Sequence, residues 1–297
     1  MVQRTRKDSS SDLGLISWRK LGGGSFTFQG KKVKPGETFL ARPSDIPLSF
    51  RDLVVPADGA AWESVEGPSA FRPIEPIWDD SEPVFLLGGG PSVLDVFGIP
   101  VTARQDVIAG ERTLSSMSEY LAPLHGKRVL AINDLYALGD WVTAMYFGDN
   151  TFYNVHRKLL AEYGGFVYGS LPQDAPGVRA VAKAERMNGL SSDPSEVCWN
   201  HNSGLAAINL AYHLGAREVV LVGYDMKTGP NGETHWYRQA ERPAPYLLFM
   251  QGMADIARDA DKMGLKISVM GDSALTQFPH WKGSIKKVSK RGTGNGS

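Results

Sequence analysis

Val84-Phe85-Leu86-Leu87-Gly88-Gly89-Gly90-Pro91-Ser92 is the stretch on which the fold turns. Four apolar residues are too few for a helix, and the glycine run behind them marks a turn, so the segment predicts a buried strand leading into a tight loop. The same grammar recurs downstream. Arg128-Val129-Leu130-Ala131-Ile132 ends at Asn133-Asp134, Trp141 to Phe147 ends at Gly148-Asp149-Asn150, Glu218 to Val222 ends at Gly223-Tyr224-Asp225, and Leu265 to Val269 closes the series. Between these runs, Asn202 to Leu214 spaces Leu205, Ile208, Leu210, Ala211 and Leu214 for one buried helical face, and Tyr246 to Met263 carries another. Strands apolar throughout, alternating with helices, predict an α/β fold: a Rossmann-like, mostly parallel sheet with helices on both faces, over residues 83–283.

Upstream the pattern changes. Ser25 to Phe28, Lys31-Lys32-Val33, a Lys34-Pro35-Gly36-Glu37 turn and Thr38-Phe39-Leu40 predict a small appendage of antiparallel β-strands over residues 18–56. Residues 1–17 read as a disordered arm, 57–82 as a linker rich in Pro, Gly and acidic residues, and 284–297, with Lys286, Lys287, Lys290 and Arg291, as a basic flexible tail. The segments Lys34 to Phe39 and Asp45 to Asp52 are similar to short segments of tailed-phage proteins, a likeness that implies a viral source more than a chemistry.

Composition narrows the function classes. The 297 residues are 42% hydrophobic and 22% charged, as in a globular protein with a core. Lys and Arg total 32 against 32 Asp and Glu, so nothing favours generic binding to nucleic acid or to an anionic membrane. Cys198 is the sole cysteine, which excludes an intrachain disulfide and a thiolate zinc cluster and fits a reducing compartment. Met1 to Arg19 is basic and serine-rich without the apolar run of a secretory signal, and no stretch approaches the ~20 apolar residues of a membrane span. The expectation is a cytoplasmic protein, in the host cytoplasm if the source is a phage.

In an open parallel sheet, ligands bind beyond the carboxyl ends of the strands. Those ends carry Gly88 to Ser92, Asn133-Asp134, Asp149-Asn150 and Tyr224-Asp225, small or polar residues rather than more core. The glycines allow a close backbone approach, and Ser92 is placed to cap a following helix whose free N–H groups suit a phosphate; a tight structural turn accounts for the same residues. Asn202 or Ser203, before Gly204, is a candidate N-cap, with anion or sugar recognition at that helix start as the alternative. Asp225 is a candidate for a ribose or hydroxyl contact, or simply a turn residue. His235 sits in a polar loop, where an imidazole is partly exposed, titrates near neutrality and can deprotonate an attacking hydroxyl. Trp236 and Tyr237 offer either a stacking surface or a hydrophobic anchor. Histidine spacing suggests no metal site, and no G-x-S-x-G elbow follows a strand.

Taken in order, these segments resemble the bacterial sialyltransferases of the Campylobacter lipooligosaccharide type and their relatives in the 6-hydroxymethylpterin diphosphokinase-like superfamily. Gly89-Gly90-Pro91-Ser92 is similar to the family's N-G-P-S, Ile132-Asn133 to its cysteine-asparagine, and Tyr146-Phe147 with Asp149-Asn150 follow in place. Ala211 to Asp225 is similar to A-x-x-L-G-[YA]-x-E-I-x-L-x-G-x-D, His235 falls at the catalytic histidine, and Asp272 to Phe278 is similar to the closing N-S-x-L-x-x-F. Gly89 replaces the first motif asparagine, and Met226 stands where a Phe-Tyr pair begins. The resemblance implies a glycosyltransferase that takes a nucleotide sugar, CMP-linked and sialic-acid-like in the family, and passes it to a hydroxyl on a glycan or other acceptor without a metal or other cofactor. It implies Gly90, Ser92 and Asn133 along the nucleotide, Asn150 and the Ser203-Gly204 turn facing sugar or phosphate, Asp225 on the ribose side and His235 as base; Gly89, Asp149 and Asn202 complete the set of candidate substrate- and nucleotide-binding residues. Two alternatives stand beside it: pyrophosphate transfer with Mg²⁺ held by Asp149 and Asp225, and a non-catalytic phage structural or accessory protein whose β appendage contacts a virion or another copy of the chain.

Overall fold

The structure, a computed structural model, describes residues 15–21, 25–42, 45–46, 54–58, 71–239 and 244–284. The arm up to residue 14, most of the expected linker (59–70), the segment 47–53 and the tail from 285 onward lie outside the described residues. The chain divides into two compact units, Met1–Arg72 and Pro73–Ser297.

In the first unit, β1 (Ile16–Lys20) is the centre of a three-stranded antiparallel sheet between β4 (Thr38–Ala41) and β5 (Val54–Pro56), and β2 (Phe26–Phe28) pairs with β3 (Lys31–Val33) as a hairpin. Trp18 is fully buried with Ala41, Ile46 and Val54, and its indole N–H donates to the Ala41 carbonyl. The antiparallel appendage read from the sequence is thus present, and β1 starts at Ile16, inside the expected arm.

The second unit holds seven parallel strands: β6 (Val84–Leu87), β7 (Arg128–Ile132), β8 (Ala144–Phe147), β9 (Phe166–Gly169), β10 (Arg179–Ala180), β13 (Glu218–Val222) and β14 (Lys266–Met270). Their order is β10-β9-β8-β7-β6-β13-β14; β11 (Ala182–Lys183) and β12 (Glu196–Val197) form a separate parallel pair. Alternation along the strands explains their apolar runs. Val84, Leu86, Leu130, Val219 and Leu221 face one core, and Phe85, Leu87, Val129, Val220 and Val222 face the other. Because neither face meets water, period-2 polarity is absent and the strands read as continuous apolar segments.

Among the described residues, five α-helices flank the sheet: α1 (Ser92–Phe97), α2 (Val101–Ile108), α3 (Asn150–Glu162), α4 (Ser203–His213) and α5 (Tyr246–Met263). The first core takes side chains from α4 and α5, and the second takes Val93, Ala103 and short 3-10 turns around Met117, Leu124 and Leu135. The α/β Rossmann-like fold expected from the sequence is therefore the fold found. Within it, α4 departs from expectation, being buried almost all round rather than on one face. Its Asn209 is tolerated at that depth because every polar atom is used: Oδ1 accepts from the N–H groups of Ser191 and Cys198, and Nδ2 donates to the Ser191 carbonyl. Strand β9 has no counterpart in the sequence reading. The segment before β6 belongs to this unit, with Ile74 buried in the first core and Trp78 packed against it.

Candidate functional site

The chain leaves β6 toward β7 on one side, whereas β13 and β14 occupy the other. The loops after β6 and β13 therefore part from a common point, and such a switch point opens a crevice at the carboxyl end of a parallel sheet. Here the crevice is a cleft of about 770 Å³. Along its floor the two loops are fastened to each other, Gly88 N–H donating to the Val222 carbonyl at 2.8 Å and Gly90 N–H to the Gly223 carbonyl at 2.7 Å.

Gly89, Gly90, Asn133, Asp149, Asn202, Ser203, Gly204, Asp225 and His235 all line this one cleft. Ser92 and Asn150 do not. Ser92 does not cap α1 either: Pro91 holds the N-cap position without a side-chain bond, and the Ser92 N–H and hydroxyl both donate to Asp225, at 2.7 and 2.6 Å. A carboxylate from 133 residues away thus occupies the helix start that was expected to be open to a phosphate. Burial raises the Asp225 carboxyl pKa, opposed by the two bonds from Ser92. Asp149 is the N-cap of α3, accepting from Phe152 N–H at 2.8 Å, and Asn150 is the first residue of that helix. Asn202 caps α4 as expected, its Oδ1 accepting from Gly204 and Leu205 N–H at 2.7 and 3.2 Å.

His235 is held over the glycine turn. Trp236 N–H donates to the Gly89 carbonyl at 2.8 Å, the Trp236 indole donates to the Gly88 carbonyl at 3.2 Å, and the Arg104 guanidinium of α2 donates to the His235 carbonyl at 3.2 Å. The imidazole lies so close to Gly89 that a Cβ there would stand 2.5 Å from its Cδ2; one at Gly90 would stand 2.4 Å from Asp225 Oδ1. Glycine is needed at both positions for this approach. Thr234 Oγ1 lies 2.9 Å from Nδ1 and Arg238 Nη2 3.3 Å from Nε2. A guanidinium has only donors, so Nε2 accepts and Nδ1 carries the proton. Burial, seconded by the Arg238 charge, pushes the His235 pKa down to about 4. This corrects the expectation of a loop histidine titrating near neutrality. Trp236 is no stacking surface, being wholly buried in the second core, whereas Tyr237, nearly as buried in the same core, also lines the cleft.

Backbone strain gathers at the same place. Asn133, Asn200, His201 and Met226 have φ of +50°, +51°, +57° and +52°, and all but Asn200 line the cleft. Among the described non-glycine residues with such φ, only Gln29, in the β2–β3 turn, lies elsewhere. Left-handed conformations cost side-chain-bearing residues on the order of 1 kcal/mol or more, and they cluster where ligands are held. Asn133 adds a second anomaly, since its buried Oδ1 finds no hydrogen-bond partner among the described residues. That oxygen is an acceptor awaiting a donor.

The sequence reading missed Trp199, His201, Lys227, Arg238, Tyr246 and Phe249, which also line the cleft. Tyr246 and Phe249 sit at i, i+3 on α5 and read as core. Lys227 and Arg238 follow Asp225 and His235 by two and three residues, a proximity that was the available signal. Both cations have acidic neighbours: Lys227 Nζ lies 2.6 Å from Asp272, and Arg238 Nη1 3.5 Å from Asp134. No helix among the described residues is long and apolar enough to cross a membrane.

No protein-family model matches the chain, and no curated protein matches it. Among solved structures, the sialyltransferase CstII from Campylobacter jejuni, in complex with the substrate analogue cytidine-5'-monophosphate, aligns at 13% identity over 71% of this chain and 89% of its own, with a TM-score of 0.42. The MAf glycosyltransferase from Magnetospirillum magneticum AMB-1 aligns at 14% identity over 68% of this chain and 34% of its own, with a TM-score of 0.40. The sialyltransferase CST-II in complex with a trisaccharide acceptor and CMP aligns at 13% identity over 67% of this chain and 85% of its own, with a TM-score of 0.37.

Proposed function

We propose that the cleft binds a nucleotide-activated sugar and transfers the glycosyl group to an acceptor hydroxyl, with His235 as general base. The observation that carries this reading is the imidazole fixed over the switch-point glycines, its Nε2 facing the Arg238 guanidinium at 3.3 Å in a cleft also lined by Lys227. A neutral Nε2 is the form that accepts a hydroxyl proton, and cationic donors suit the phosphate of a departing nucleotide. Asn133 Oδ1, left without a partner, suits a hydroxyl or amine of the ligand. The motif resemblance makes a CMP-linked, sialic-acid-like sugar the first donor to test and requires no metal. Asp149 and Asp225, the carboxylates a magnesium-dependent transfer would use, are engaged respectively in capping α3 and holding Ser92.

The test is a thermal-shift panel of CMP, CDP, UDP, GDP and ATP with and without Mg²⁺, followed by transfer assays with the sugar donors of whichever nucleotide binds. At about 100 times the dissociation constant, a true ligand stabilises the native state by about 2.7 kcal/mol. A metal-independent shift with CMP is expected. His235→Ala should lower turnover by about 10²–10⁴-fold while nucleotide binding persists. Absence of a shift with every nucleotide would overturn the reading, and unchanged turnover in His235→Ala would remove the histidine from it.

A further inference from the structure

Arg238 makes two long polar contacts rather than one good one, and its guanidinium lies 5.7 Å from the centre of the Tyr237 ring. Its Nη1 is 3.5 Å from Asp134 Oδ2 and its Nη2 is 3.3 Å from His235 Nε2; its side chain is 48% exposed and lines the cleft. Neither contact has the length of a strong charge-assisted bond, about 2.7–2.9 Å. Asp134 is shared in turn, because His156 of α3 places Nε2 3.4 Å from its other oxygen. The guanidinium is therefore poised between partners and loosely committed to each. Its position is also paradoxical for a base catalyst, since it occupies the lone pair that must receive the proton.

We propose that Arg238 is an exchangeable positioning residue: in the empty cleft it holds the His235 imidazole by Nε2, and an anionic ligand draws the guanidinium away and frees that nitrogen for the acceptor. The inference rests on the transferase reading for its purpose, and on the Arg238–His235 geometry for its existence. In the reaction, the acceptor oxygen bonds to the anomeric carbon of the donor sugar and the bond from that carbon to the phosphate oxygen breaks. The electron pair leaves with the phosphate, and the hydroxyl proton passes to Nε2. Freed of the guanidinium, Nε2 is also the stronger base, because a cation at this distance disfavours protonation and a phosphate neutralises it. Coupling the release of the base to arrival of the donor keeps the imidazole masked until there is a sugar to transfer.

The charged and titratable groups facing His235 are Arg238 on its own loop, Tyr237 with its ring edge-on at 5.8 Å, Arg104 of α2 behind its carbonyl, and Asp134 after β7, reached through Arg238. The test follows the His235 imidazole by ¹⁵N NMR in the full chain, for wild type, Arg238→Gln and Arg238→Lys, alone and with CMP or inorganic pyrophosphate. In wild type, Nε2 is expected as the unprotonated nitrogen, and either anion should shift its resonance and raise the titration midpoint by about one pH unit. Arg238→Gln should show the raised midpoint without ligand and no further response, and Arg238→Lys should restore part of the wild-type behaviour. A midpoint in Arg238→Gln equal to that of wild type, or an Nε2 resonance indifferent to both anions, overturns the proposal even if sugar transfer is detected. A response to pyrophosphate with none to CMP or the other nucleotides leaves the role of Arg238 standing and overturns the nucleotide-sugar reading instead.

Discussion

His235 takes its chemistry from neighbours that are distant in sequence. Gly89 supplies the space, Arg104 holds the carbonyl, and burial keeps the ring neutral. Gly89→Ala tests this arrangement, because the new Cβ would meet the imidazole at 2.5 Å while the ring is boxed by Thr234 and Arg238. The expected outcome is a loss of turnover of at least about tenfold, since small displacements of a reacting group are costly, with melting temperature changed by only a few degrees. Turnover equal to wild type would mean that the ring can yield without consequence. The sequence pointed to His235 by residue type and loop position. Its ionisation was not legible, because desolvation depends on packing that brings Trp236 and Tyr237 into the core beneath it.

At the scale of elements, α4 shows how a helix start is both cap and cleft wall. Asn202 satisfies two N–H groups, and Tyr224, two residues past the end of β13, donates its hydroxyl to the Gly204 carbonyl at 2.9 Å. Asn202→Ala should cost about 1 kcal/mol of stability, read as a lower urea midpoint at unchanged slope, and Asn202→Asp should recover most of it. Both cap and helix were legible in Asn202-Ser203-Gly204 and the apolar spacing that follows. The N-terminus of α1 was not, because its cap comes from Asp225 rather than from the local Ser92. Strand β9 escaped notice for another reason: Phe166-Val167-Tyr168-Gly169 follows two glycines and is too short to show a period, and only pairing with β8 and β10 makes it a strand.

For the whole molecule, the buried histidines set a response to acid. Burial lowers the pKa of His213 and, with Arg238, that of His235 to about 4. In the unfolded chain both rings titrate near 6.5, so between that value and the folded pKa the unfolded state binds more protons. Stability therefore rises with pH through this window and is lost progressively as pH falls from about 6.5 toward 4. The melting temperature should drop over that range, and His235→Gln should drop less than wild type, having one proton fewer to take up on unfolding. Equal slopes in the two proteins would show that His235 is not kept neutral by the fold.

The sequence by itself determined five of the seven sheet strands, the helices α4 and α5, and the antiparallel appendage, because apolar runs, helical spacing and Pro-Gly turns are local consequences of residue type. Nine of its candidate residues line one cleft, and of these Gly89, Gly90, Asn133, Asp149 and Asp225 do so because strand ends in a parallel sheet converge whatever the side chains are. Tertiary structure alone decided that Ser92 serves Asp225, that Trp236 anchors rather than stacks, and that Arg238 masks the lone pair of His235. The first two depend on contacts between segments more than a hundred residues apart, and the third on how one loop folds over the glycine turn, and none of these is written in the spacing of neighbours along the chain.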